Sequence, residues 1–379
     1  MITQNKKPAE ISFIRGFLIY PNSKKWPIYA IIKGMKYKLY TTSQKAWDGM
    51  YKAMSEAQKS IYLEMYIFLN DTQATHDFWG LLKTKARAGL EVVIITDAYG
   101  SAKLKSEAVK EMRSAGVEFI YFSRWFRHTH RKILIIDNKV AFIGGVNIEE
   151  NIRHWIDLQI RVKGRIVQPL LQSFAYAYKM VGGKKDSILK FSRLPLAQKI
   201  KSWITDNFGL STKRYYLNNY YREKIVNAKT SIQIVTPYLL PPRWLIALLD
   251  QAVHRGVNVE LLIPADTDVK PLNKINFLNA CRLTDFGVKF YMMPRMNHAK
   301  IMLIDREEGV IGSQNMDVLS FNLNMEAGVF FRQKDLVADL SHIIEHWKNE
   351  STFFESPGEK LKWYDRILIL VFKFFYPIF

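Results

Sequence analysis

A block of residues occurs twice in this chain of 379 amino acids at one fixed spacing, and the duplication limits the possible folds more than any other feature. His130, Lys132, Asp137, Gly144 and Asn147 recur as His298, Lys300, Asp305, Gly312 and Asn315, each pair separated by 168 positions. Five coincidences in a single register exclude accident. Between the His and the Asp run Ile133 to Ile136 in one copy and Ile301 to Ile304 in the other, apolar stretches that read as buried strands. Upstream segments repeat more loosely. Ala57 to Tyr66 parallels Ala228 to Tyr238, each a helix end feeding an apolar strand. Leu81 to Ile95 parallels Leu248 to Ile263, each an amphipathic helix closed by glycine and followed by a strand. Ala115 to Phe119 and Phe286 to Phe290 open a third matching strand.

Strand and helix alternating in both halves predict an α/β protein of two duplicated lobes, and equivalent sites on equivalent lobes can face one another across a pseudo-two-fold axis. The lobes are read as residues 41–195 and 196–358, with 182–186 near the junction, an N-terminal segment 1–40 and a tail 359–379.

Within each copy His and Lys stand two apart at the start of a strand, so alternation places both side chains on one face. A neutral imidazole beside a fixed ammonium suits a phosphate. The ammonium neutralises anionic oxygens, while the imidazole attacks phosphorus or moves a proton. Asn147 and Asn315 can donate amide hydrogens to the same oxygens; turn formation after glycine is the alternative, and their repeated register favours phosphate binding. Gly144 and Gly145, and Gly312 with Ser313, permit close backbone approach. Exchange at a phosphodiester through a covalent intermediate needs a nucleophile and a general acid, and two lobes supply two histidines. This set calls for no metal and no cofactor.

The balance of 55 Lys+Arg against 35 Asp+Glu gives a formal charge of +20, which draws the surface toward polyanions, either nucleic acid or an anionic membrane. A hydrophobic share of 48% excludes disorder, and one cysteine, Cys281, excludes disulfides within the chain, zinc ribbons and iron–sulfur clusters. Cys281 reads as a packed thiol in a reducing compartment. No run reaches the roughly 18 apolar residues of a membrane span, and the first residues lack a secretory signal, so the expected location is peripheral, on the cytoplasmic side of the cell membrane. Phe13 to Tyr20 and Ile367 to Phe379 are short and apolar, and from Lys360 onward cations mix with aromatics as in an interfacial segment; a tail folded on the second lobe or pairing with a partner subunit is the alternative. His342, Glu345 and His346 match a zinc pattern, but Leu and Ile spacing around them explains the segment as an amphipathic helix.

The paired motifs resemble those of the phospholipase D superfamily and, within it, the bacterial cardiolipin synthases. The likeness covers about residues 41–355 and extends to the wording at Thr129 to Lys132, Ala141 to Asn147, Gly312 to Asn315 and Ser320 to Glu326. It implies two phospholipase D-like lobes with mixed sheets flanked by helices, and a phosphohistidine mechanism on His130, Lys132, Asp137, His298, Lys300 and Asp305. His130 would attack phosphorus and His298 protonate the departing alcohol, although the two roles can be exchanged. Asp137 and Asp305 end their strands and read as supports. Carboxylates from later strands would orient the imidazoles, at positions matching Asp157 and Glu326. The implied reaction joins two phosphatidylglycerol molecules into cardiolipin and glycerol at a membrane surface; water as acceptor would make the chain a phospholipase D. A nucleic-acid phosphodiesterase suits the same histidines and charge, with the apolar ends and synthase-like wording against it. Family members often carry N-terminal transmembrane helices, which this sequence lacks. Oligomeric state leaves no mark in the sequence.

Overall fold

The computed structural model describes residues 35–124, 127–193 and 216–356, the backbone of Phe13–Ile14, Phe17–Leu18 and Ile204–Asn207, and six residues between 364 and 372. The N-terminal segment and the tail read as interfacial lie largely outside the described residues.

Each half builds a mixed sheet. The first orders its strands Lys36–Thr42, Ile156–Lys163, Val140–Gly144, Lys132–Ile136, Ser60–Met65, Glu91–Asp97 and Glu118–Phe122. The last three are mutually parallel and the other pairings antiparallel. The second repeats this as Ile204–Asn207, Glu326–Phe331, Glu308–Gly312, Ile301–Ile304, Ser231–Val235, Asn258–Pro264 and Lys289–Met293, with Thr352–Phe354 added at the edge.

Continuous apolar runs arise because both faces of each sheet are covered. Along the first motif strand, Ile133 and Ile135 enter a core shared by the two lobes, whereas Leu134 and Ile136 pack beneath the first lobe's own helices. Ile301 and Leu303 enter that shared core from the other side, and Met302 and Ile304 face the second lobe's helices. The lobes therefore meet sheet face to sheet face, with Leu170 and Phe174 of helix Val167–Met180 and Leu336 and Leu340 of helix Lys334–Asn349 in the same cluster. Helix Ser43–Ser55 shows how local chemistry aims an element at the site. The Thr42 hydroxyl caps it by accepting from the Lys45 N–H at 3.2 Å, and Ala46, Trp47, Met50, Ala53 and Met54 give it a buried stripe. The Trp47 indole N–H then donates to the Asn147 carbonyl at 2.8 Å, fixing the turn that follows the glycines.

Each motif strand ends in a tight turn with two left-handed residues, Asp137 and Asn138 (φ 51° and 57°) in one lobe, Asp305 and Arg306 (φ 54° and 53°) in the other. Asp and Asn tolerate this backbone better than most residues. The Asp137 carboxylate accepts from the N–H groups of Gln58, Lys59 and Ser60, and the Asp305 carboxylate from Lys229, Thr230 and Ser231. Each aspartate thus ties its motif strand to the strand beside it. Five residues at about 3.3 Å each put it roughly 17 Å from the motif lysine's end of the strand.

Candidate active site

The two motif histidines come together by a backbone splice between the lobes. The His130 N–H donates to the Met325 carbonyl at 3.0 Å and the Met325 N–H to the His128 carbonyl at 2.8 Å. The mirror image holds across the axis: the His298 N–H donates to the Ile156 carbonyl at 2.7 Å, and the Ile156 N–H to the Met296 carbonyl at 3.2 Å. The residue after Met325 is Glu326 and the residue after Ile156 is Asp157, so the splice delivers each carboxylate to the opposite lobe's imidazole. His130 Nδ1 lies 3.0 and 3.1 Å from the Glu326 oxygens, and His298 Nδ1 lies 2.9 Å from Asp157 Oδ2. The holders are crossed.

Both imidazoles, both carboxylates, Lys132 and Lys300 are buried. Burial, with Lys132 and Lys300 nearby, holds His130 well below the ordinary imidazole range. His298 is lowered by burial and Lys300, with Asp157 opposing. A neutral imidazole whose Nδ1–H donates to a carboxylate leaves Nε2 with its lone pair bare, as a nucleophile or base requires. Lys132 is pushed well down and Lys300 to about 8, burial outweighing the carboxylates in both. Burial raises Glu326 to about 8 against the pull of Lys132 and the hydroxyls of Ser313 and Ser320. Each lysine donates to the carbonyl of its own motif histidine, Lys132 at 2.7 Å and Lys300 at 2.5 Å. Lys132 also sits 5.1 Å from the centre of the Tyr66 ring.

His130, His298, Asn147 and Asn315 line one cleft of about 390 Å³ between the lobes. Asn147 Oδ1 accepts from the Ile67 N–H at 3.2 Å, leaving its amide hydrogens for a ligand. Asn315 Oδ1 is buried without a hydrogen-bond partner among the described residues. The second glycine of the first motif has a steric cause, because a Cβ on Gly145 would meet Asp157 Oδ1 at 2.2 Å. Its counterpart Ser313 instead donates to Glu326 Oε2, and Ser320 donates to Glu326 Oε1 at 2.7 Å. Asp137 and Asp305 lie outside this cluster, in the turns described above. His342 and His346 are exposed on helix Lys334–Asn349, whose Ile344 and Trp347 are buried, and Glu345 is engaged by Gln233 at 3.2 Å and Arg306 at 3.4 Å. Cys281 is buried.

Sequence reasoning took Ser313 only as part of a turn and did not single out Ser320, Tyr66, Tyr238 or His128. The Tyr66 ring meets His130 edge-on at 5.0 Å, and the Tyr238 ring meets His298 at 6.2 Å. The looser upstream repeat aligns the two tyrosines and is the signal that could have found them. His128 has no such signal, since Met296 stands at its place in the second copy.

Two lobes spliced so that the histidines of paired His–Lys motifs share one cleft, with each lysine buried behind its own histidine, define a phosphodiester-transfer architecture of the phospholipase D type. A family model described as cardiolipin synthase, phospholipase D-like domain, matches twice, over residues 50–176 and 221–347. The chain belongs to this family, and with it to the phosphatidyltransferase enzymes of the phospholipase D superfamily. It is 31% identical over 331 residues to cardiolipin synthase 1 of Staphylococcus epidermidis, covering 82% of this chain and 67% of the relative. It is 30% identical over 362 residues to a cardiolipin synthase of Halalkalibacterium halodurans, covering 87% and 70%. Among solved structures, phosphatidylserine synthase of Haemophilus influenzae aligns over 92% of this chain and 94% of its own with a TM-score of 0.72 at 14% identity, a likeness of fold.

Proposed function

We propose that this chain transfers a phosphatidyl group from one phosphatidylglycerol to a hydroxyl of a second, forming cardiolipin and releasing glycerol. The observation that carries the reading is the crossed pair of buried imidazoles in one cleft, each with Nδ1 held by a carboxylate. His130 Nε2 attacks phosphorus and the bond to the glycerol oxygen breaks, with His298, which enters the step as the imidazolium held by the Asp157 carboxylate, giving its Nε2 proton to that oxygen. The hydroxyl of the second lipid then gives its proton to His298 and attacks phosphorus, and the bond to His130 breaks. Lys132, Lys300, Asn147 and Asn315 hold the phosphate oxygens, whose charge grows in each transition state. Asp157 and Glu326 keep the imidazoles in the reactive tautomer, and Asp137 and Asp305 anchor the strands.

The formal charge of +20 supports docking on an anionic membrane surface. Among the described residues no helix is long and apolar enough to cross a membrane. We place the protein peripherally, on the cytoplasmic face, with the residues beyond 358 contributing to docking. Lipid mass spectrometry after incubation with phosphatidylglycerol vesicles, with His130→Ala as the blank, tests the reaction. Cardiolipin and glycerol in equal amounts are expected. Phosphatidic acid in their place would make water the acceptor, and untouched lipid would refute the substrate.

A further inference from the structure

The reaction proposed above needs two lipids in different roles, yet the catalytic groups are pseudo-symmetric. Asymmetry therefore has to come from the walls of the cleft. The second lobe's wall includes Val269, Leu272 and Leu319, which belong to the apolar cluster that also receives Ile369 and Phe372. Its carboxylates are engaged, Asp268 by the Tyr238 hydroxyl at 2.6 Å and Asp317 by the Ser320 N–H at 2.7 Å.

The first lobe's wall has apolar side chains of its own in Ile67, Ile152 and Trp155, and differs in carrying a third imidazole. His128 lines the cleft with Nδ1 3.1 Å from Asp97 Oδ1. Asp97 is buried and already accepts the N–H groups of Tyr99 and Gly100, each at 3.0 Å, and of Thr129 at 2.9 Å. A carboxylate used in this way acts as an acceptor, so His128 Nδ1 donates to it and Nε2 is the ring nitrogen left for a ligand. The rings of Tyr99 at 5.2 Å and Tyr66 at 6.2 Å brace the imidazole. The second lobe has no such dyad: its matching strand ends in Pro264, and Met296 replaces His128. Lys103 on the same wall is paired with Glu149 at 2.9 Å, so this end of the cleft offers donors and acceptors more than net charge.

We propose that His128 is the positioning residue for the acceptor alcohol, its Nε2 accepting a hydrogen bond from a hydroxyl of an uncharged polyol head group other than the attacking one. The inference rests on the phosphatidyl-transfer reading. The attacking hydroxyl still loses its proton to His298, and the new oxygen–phosphorus bond replaces the one to His130; His128 sets which hydroxyl is presented.

Head-group exchange on the full chain tests this. Phosphatidylglycerol is supplied with deuterated glycerol or with ethanol as acceptor, and phosphatidyl-d-glycerol, phosphatidylethanol and phosphatidic acid are quantified together. His128→Leu is expected to raise the apparent KM for glycerol about tenfold, the scale of one lost hydrogen bond. Ethanol transfer and hydrolysis should stay within about threefold of the wild type on the same reasoning, since neither acceptor has a second hydroxyl to bind. His128→Gln, which keeps an acceptor atom, should restore most of the glycerol KM. Glycerol and ethanol transfer falling together, or an unchanged glycerol KM, would overturn the assignment to His128. A wild type that leaves phosphatidylglycerol intact would instead overturn the reading beneath it, and the assignment with it.

Discussion

Glu326→Gln offers the sharpest check on the crossed geometry, because the altered residue belongs to the second lobe and the expected loss falls on the first lobe's histidine. The amide keeps the size of the carboxylate, and one orientation still accepts from His130 Nδ1, so the chain should fold. What disappears, when the assay is run above the value of about 8 at which Glu326 ionises, is the negative charge facing the imidazolium that forms when Nε2 attacks. With contacts of 3.0 and 3.1 Å the two charge centres lie about 4 Å apart, worth about 4 kcal/mol at an effective dielectric near 20. At about 1.36 kcal/mol per tenfold this is a loss of nearly a thousandfold in the first step. The assay uses a phosphatidyl ester of p-nitrophenol, whose leaving group needs no proton, so that the pre-steady-state burst reports attack by the nucleophile alone. Glu326→Gln should slow that burst by about the stated factor, while Asp157→Asn, which disturbs His298, should leave it within about tenfold of the wild type on the same Coulomb reasoning. A full burst in Glu326→Gln, with its collapse in Asp157→Asn, would refute the assignment and make His298 the nucleophile.

Two further outcomes follow from the same geometry. Because burial lowers both imidazoles below their ordinary range, protonation silences the nucleophile only under more acidic conditions than for a free imidazole, whereas Lys300, lowered to about 8, loses its charge as pH rises through that value. The kcat/KM profile should therefore fall on the alkaline side first as His298 loses the proton it gives to the departing alcohol, and again as Lys300 loses its charge near pH 8; Asp157→Asn, which removes the carboxylate holding the His298 imidazolium, should move the first limb to lower pH, and an unmoved limb would exclude His298 as its origin. Asp137→Ala removes the acceptor for three backbone N–H groups at the strand end remote from the cleft, so urea denaturation should show a loss of about 1–3 kcal/mol while kcat of the folded protein changes little; a collapse of kcat in fully folded protein would contradict its supporting role.

The duplicated lobes were legible because a repeat imposes the same apolar periodicity twice, and a five-residue strand buried on both faces has little freedom to vary. The histidines, lysines and asparagines shared that register and were found with it. The pairing of carboxylate with imidazole was not legible. Glu326 follows Asp157 by 169 positions, one out of step with the motif, and no local pattern tells which lobe's imidazole a carboxylate will meet once two sheets have docked. Ser313 and Ser320 stood within the quoted wording, but their work depends on how close Glu326 comes. Gly145 looked like a turn residue, and the tertiary structure gives it a second cause in the Asp157 oxygen beside it. His128 escaped for the opposite reason: a search guided by repetition passes over whatever occurs in one copy.

The backbone splice gives the site an all-or-none character. Each lobe inserts one main-chain residue, Ile156 or Met325, between the two hydrogen bonds that anchor the other lobe's histidine. A rotation of one lobe by even a few degrees would shift both carboxylates off both imidazoles in the same movement, so no half-assembled state retains one working histidine. A small molecule wedged into the shared core, far from the cleft, would therefore extinguish both chemical steps together without touching a reacting atom.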